Sequence, residues 1–129
     1  MVNKRAFTLI ETLIVISILM LLSGIAFSTH RNTARKAREA TLKHNLTQMR
    51  YTLDQYNNDK GHYPESVQVL VDEGYLRQIP MDPITKSKDS WEVVMDDDLF
   101  DDPEHVPGVF DVRSGSLAPS IDGTLYNEW

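Results

Sequence analysis

From Phe7 to Phe27 the chain runs through twenty-one residues with a single charged side chain, Glu11. No other feature limits its fold so tightly. As a helix rising 1.5 Å per residue, the stretch is about 31 Å long, close to the ~30 Å hydrocarbon thickness of a bilayer. Three fates are open to such a segment. It can be a secretory signal, with Gly24 and Ala26 as the small residues three and one before a cleavage site. It can be a core helix, but 129 residues hardly suffice to cover a helix that is apolar all round. Or it can span a membrane. A carboxylate inside a span costs roughly 2.5–3.5 kcal/mol on insertion scales and signals a partner, which makes Glu11 the first candidate functional residue.

The formal net charge of −6 conceals a partition. Residues 1–27 carry Lys4 and Arg5 against Glu11, a net +1. Residues 28–50 carry Arg31, Arg35, Lys36, Arg38, Lys43 and Arg50 against Glu39, a net +5. Residues 51–129 hold five basic and seventeen acidic side chains, a net −12. An apolar head, a basic stem and an acidic body follow one another, an order foreign to most soluble enzymes. The overall acidity argues against a nucleic-acid binder, whose footprint is a basic excess. Without cysteine the chain has no disulfide framework, no Cys-ligated zinc and no thiol nucleophile.

Leu42, Leu46, Met49, Leu53 and Tyr56 recur at spacings of four and three, one apolar stripe on a helix. No proline or glycine stands between Gly24 and Gly61, and Ala34, Ala37 and Ala40 favour helix. The pattern predicts one helix running unbroken out of the apolar head to about Asn58, with Gly61 available for a left-handed end. Glu65–Glu73 predicts a short helix started by Ser66, with Val67, Leu70 and Val71 on one side and Gly74 ending it. Pro80 and Pro83 exclude regular structure through Ile79–Ile84. Trp91–Met95 and Val109–Arg113 read as strands, and Thr124–Trp129 as a third extended piece. The polar connection Asp96–Gly108 reads as an exposed loop, and Trp91 and Trp129 as core anchors.

The residues Lys4-Arg5-Ala6-Phe7-Thr8-Leu9-Ile10-Glu11 resemble a type IV prepilin (class III) signal, a short basic leader and a small residue before Phe-Thr-Leu-Ile-Glu. Tyr56, Asp59, Gly61, Tyr63 and Pro64 are similar to the "Y..D.G.YP" segment of the G-type major pseudopilins of type II secretion. Tyr75-Leu76, Pro80 and Asp82-Pro83 resemble that family's "YL…P.DP" stretch, and Asp122-Gly123 with Trp129 its closing "DG…W". The resemblance implies an α+β, type IV pilin-like fold: a long N-terminal α-helix, membrane-spanning in its first half, packed on a small antiparallel β-sheet with an acidic loop. It implies four segments. These are a prepilin leader at 1–6, a transmembrane and filament-core helix at 7–28, its periplasmic continuation at 29–60, and a small globular α/β body at 61–129.

The function implied is that of a non-enzymatic pseudopilus subunit. A prepilin peptidase would cut between Ala6 and Phe7 and methylate the new amino group. Glu11 would then be the fifth mature residue and would pair with that amino group during assembly. The implied partners are further copies in a homo-oligomeric helical filament, minor pseudopilins, the peptidase, an inner-membrane assembly platform and membrane lipid, with no nucleic acid. The implied location is the bacterial inner membrane, single-pass with the body in the periplasm, and the filament in the periplasm or at the cell surface. Two departures stand out: the family prefers glycine where this chain has Ala6, and a proline where it has Ser28. The basic residues that follow the span would by the positive-inside rule favour the opposite orientation. The resemblance prevails here, because the leader must face a peptidase on the cytoplasmic side.

The basic stem reads as a contact for acidic bodies of adjacent subunits or for lipid headgroups, or as a solvated helix face. The acidic run Asp96, Asp97, Asp98, Asp101, Asp102 and Glu104 lacks the glycine and spacing of an EF-hand loop. The resemblance implies calcium elsewhere, in a C-terminal loop matching Ser114–Tyr126, where Asp122 is the only carboxylate and the candidate ligand for Ca2+. His30, His44, His62 and His105 lack metal-ligand spacing and read as surface residues. No catalytic arrangement is visible. Two alternatives stay open: a type IV pilus pilin, and a soluble secreted acidic binding module released after Ala26.

Overall fold

One α-helix, α1, runs from Leu9 to Lys60. The computed structural model describes residues 7–97 and 104–129, and for residues 27–30 the backbone alone. Two compact units divide the chain, residues 1–35 and residues 36–129. In the first, thirteen large apolar side chains between Phe7 and Ile25 stand exposed, from 42% at Ile16 to 82% at Leu9. The hydroxyls turn inward instead. Ser17 and Ser23 donate to the carbonyls of Leu13 and Leu19, both at 2.7 Å, and Thr12 donates to Thr8. A hydroxyl bonded to its own helix no longer needs water, which suits an apolar medium. By length and composition the segment can cross a membrane.

The second unit is built on the apolar stripe. Leu42, Leu46, Met49, Leu53 and Tyr56 are all buried, as their spacing predicts. Packed with them are Val67 and Leu70 of a short helix α2 (Val67–Asp72), Leu76, Tyr126, and Val109 and Val112 of strand β2 (Val109–Ser114). Strand β1 (Trp91–Met95) pairs antiparallel with β2, setting Trp91 opposite Ser114 and Val93 opposite Val112. A bulge at Val94/Met95 brings Met95 opposite Val109, so the ladder bends at that end. Helix α1 stops where Gly61, at φ +80°, donates its N–H to the Asn57 carbonyl at 2.8 Å. That is the left-handed end only glycine takes without cost.

Two expectations are corrected. Thr124–Trp129 is not a strand: Tyr126–Glu128 forms a 3-10 turn, joined to the rest by an isolated bridge between Pro119 and Leu125. A strand would send Tyr126 and Trp129 to opposite faces, whereas residues three apart in a 3-10 turn eclipse. Their rings accordingly meet edge to face, 5.1 Å between centroids.

The connection Asp96–Gly108 is also not simply an exposed loop. Asp96 is 1% exposed, its Oδ1 accepts the Gly108 N–H at 2.7 Å, and its own N–H donates to the Gly108 carbonyl at 3.0 Å. His105, half-buried rather than on the surface, sets Nε2 3.0 Å from Asp96 Oδ2. The loop is pinned at its base. Asp97 and Glu104 are exposed, while Asp98, Asp101 and Asp102 lie outside the described residues.

Burial alone would raise the Asp96 carboxyl, but the Gly108 N–H and the His105 ring together hold it below its ordinary value of 3.8. A lowered carboxyl stabilises the fold above that ordinary value and loses its contribution as pH falls through the folded one. The difference in urea midpoint between the wild type and Asp96→Ala should therefore be full at pH 6 and shrink below pH ~3.8. A difference that is constant across that range would contradict this assignment.

Candidate functional site

The head presents one carboxylate on an apolar helix. The carbonyl and Oγ1 of Thr8 both accept the Glu11 N–H, at 3.1 and 3.3 Å, so Thr8 caps the first turn of α1 with Glu11 inside it. An acidic residue in a first turn meets the positive end of the helix dipole. The Glu11 side chain is exposed, and no described residue pairs with its carboxylate. Phe7 is 79% exposed; Ala6, the residue before the expected cut, lies outside the described residues.

The body motifs converge on one hub. The Tyr75 hydroxyl donates to Asp59 Oδ2 at 2.9 Å, and Lys60 Nζ lies 2.8 Å from Glu73 Oε2, joining the end of α1 to the segment after α2. The Tyr56 and Tyr75 rings meet edge to face. Pro64 is buried and its carbonyl accepts the Val109 N–H at 2.7 Å, while the Tyr63 ring meets Phe110 edge to face. A Cβ at Gly108 would stand 2.6 Å from Tyr63 Cβ, so only glycine fits there. Asp82, fully buried, accepts the Ile84 N–H at 2.8 Å and the Ser114 hydroxyl, and the Trp91 indole donates to the Pro80 carbonyl at 2.8 Å. Tyr63, Pro64, Tyr75 and Asp82 thus tie loops to the helix or to β2, and Pro80 is held from β1.

Two functional residues escaped the sequence reading. Glu39 and Arg50 were counted with the stem, yet both turn into the body. Glu39 is 8% exposed and Arg50 Nε lies 2.6 Å from Asp111 Oδ1. A signal existed for the first, because Glu39, Leu42 and Leu46 share the three-and-four spacing of the buried stripe. Lys43, though exposed, sets its Nζ 4.4 Å from the centroid of the Trp129 ring. Trp91 and Trp129 are partly buried against the core.

Asp122 is exposed and lines a groove of about 460 Å³ with Lys43, Leu46, Thr47, Arg50, Thr124 and Trp129. The donor set does not fit a calcium ion, which takes about six to eight oxygens and favours several carboxylates. Asp122 shares its groove with two cations, and among the described residues no three His, Cys, Asp or Glu side chains are placed to hold a metal. The Asn127 Oδ1, buried without a bond, adds one neutral oxygen at most.

A model of the prokaryotic N-terminal methylation motif matches residues 1–27. The type II secretion system core protein G of Klebsiella pneumoniae is 29% identical over 64% of this chain and 71% of its own length. The protein of the same name from Escherichia coli (strain K12) is 27% identical over 63% of this chain and 67% of its own. No solved structure matches the chain. Head, helix and sheet have the layout of one class, the type IV pilin-like α+β fold, with a long apolar helix and a small two-stranded body. Within that class it is like the G-type major pseudopilins, and its relatives are secretion core proteins rather than enzymes.

Proposed function

We propose that the chain is the structural subunit of a pseudopilus filament that drives type II protein secretion from the inner membrane. The observation that carries the reading is the uncovered apolar helix with one carboxylate, Glu11, four residues after Phe7. A prepilin peptidase cuts between Ala6 and Phe7 and methylates the new amino terminus, removing the leader 1–6. Residues 7–28 then serve as membrane anchor and filament core, 29–60 continue the helix in the periplasm, and 61–129 form the body. Copies join through their apolar segments, where the Phe7 amino group of one subunit and Glu11 of another neutralise each other. Exposed stem residues such as Lys36 and Arg38 meet the acidic bodies of neighbouring copies. The assembly platform and minor pseudopilins are the remaining partners.

Assembly tests the reading. Produced with a type II secretion machinery, the chain should be recovered in filaments visible by electron microscopy. Recovery only as a soluble monomer lacking residues 1–26 would favour a secreted binding module instead.

A further inference from the structure

The C-terminal loop Ser114–Tyr126 is gripped from α1 by two side chains of opposite charge. Glu39 Oε1 accepts the Ile121 N–H at 2.8 Å and the Tyr126 hydroxyl at 2.7 Å. About three turns further along the helix, Arg50 binds the strand and the chain end that flank the loop. Its Nε donates to Asp111 at 2.6 Å, and its Nη2 to the carbonyls of Val112 at 3.0 Å and Trp129 at 2.7 Å. The loop also closes on itself. The Ser120 N–H donates to the Thr124 carbonyl at 2.7 Å, the Gly123 N–H to the Ser120 carbonyl at 3.1 Å, and the Trp129 indole to Thr124 Oγ1 at 2.8 Å.

A bound cation organises a loop by collecting its oxygen acceptors around one charge. Here the acceptors on either side of the loop, Asp111, Val112 and Trp129, already share a charge, the Arg50 guanidinium, whose planar fork reaches several oxygens at once. The donors have a charge as well, the Glu39 carboxylate, and hydrogen bonds to ionised groups are about twice as strong as neutral ones. The one carboxylate left over, Asp122, lies in a groove with Lys43 and Arg50, whose positive charges oppose entry of a divalent cation.

We propose that Glu39 and Arg50 replace a cation as the staple of the C-terminal loop, so that this body folds and keeps that loop without calcium. The proposal rests on the contacts of the body alone and stands or falls separately from the filament reading.

The test is a melting experiment on the full chain in detergent, followed by Trp91 and Trp129 fluorescence, with millimolar calcium or with chelator. The wild type and Asp122→Asn should melt within about 1 °C of each other under both conditions, as expected when no ligand favours the folded state. Glu39→Met strands two donors and should lower Tm by about 5–10 °C, with no recovery in calcium. Arg50→Met should fall similarly, while Glu39→Gln, which keeps an acceptor oxygen, should lose less. Tyr126→Phe removes one donor and keeps the ring; it gives an intermediate fall and serves if Glu39→Met does not accumulate. A calcium-induced rise of about 5 °C or more in the wild type, abolished by Asp122→Asn, would overturn the proposal. So would a Glu39→Met or Tyr126→Phe protein that melts like the wild type.

Discussion

Glu11→Ala should leave the chain processed and inserted in the membrane while cutting assembled filament by about a hundredfold or more. The estimate follows from the cost of leaving one member of a buried ion pair uncompensated, about 3–5 kcal/mol. A lone amino group at Phe7 can stay near the headgroups in a single inserted subunit. Packed against apolar helices of other copies it cannot, and Glu11 is the only charge between Phe7 and Phe27 that can answer it. The hydroxyls of Thr12, Ser17 and Ser23 are no substitute, since each donates to its own helix. Quantifying sheared filaments against total membrane-bound chain separates assembly from insertion. Normal filament yield in Glu11→Ala would remove the pairing role.

The largest loss of stability should come from Leu53→Ala. Leu53 is fully buried in the stripe, flanked along it by Met49 and Tyr56, and truncating such a leucine costs about 2–5 kcal/mol. In a body of this size each kcal/mol shifts Tm by roughly 4–8 °C, so the variant should melt at least 8 °C or so below the wild type. Leu13→Ala, removing the same atoms from a side chain 52% exposed, should leave the melting of the body unchanged. Equal effects at the two positions would mean that the stripe is not the core.

The contrast between these positions shows what could be read from the sequence. The stripe from Leu42 to Tyr56 was legible because a helix period of 3.6 leaves an unmistakable spacing, and Gly61 because a helix needs an end. Strands β1 and β2 were legible from β-branched and aromatic runs, whereas their antiparallel pairing was implied only by the family resemblance. Tyr126–Glu128 was misread because propensity in a six-residue tail is weak and the turn is set by side chains far away in sequence. Tyr126 is held by Glu39, 87 positions earlier, and no local pattern encodes that bond. The Asp96–His105 latch was hidden in a run of acids that looked uniformly solvated. Charge counting placed Arg50 in the stem, whereas its long side chain reaches Asp111 and the Trp129 carbonyl. Periodicity reports which face is buried; it does not report which polar group that face will carry inward.

The apolar head with its single acid is the feature on which the functional account turns, and the amino terminus of the mature chain tests it most directly. Intact-mass and fragment-ion analysis of the chain purified from membranes should show a protein that begins at Phe7 with one added methyl group on the α-amine. A chain that begins at Phe27, or one that retains residues 1–6 in assembled material, would contradict the account.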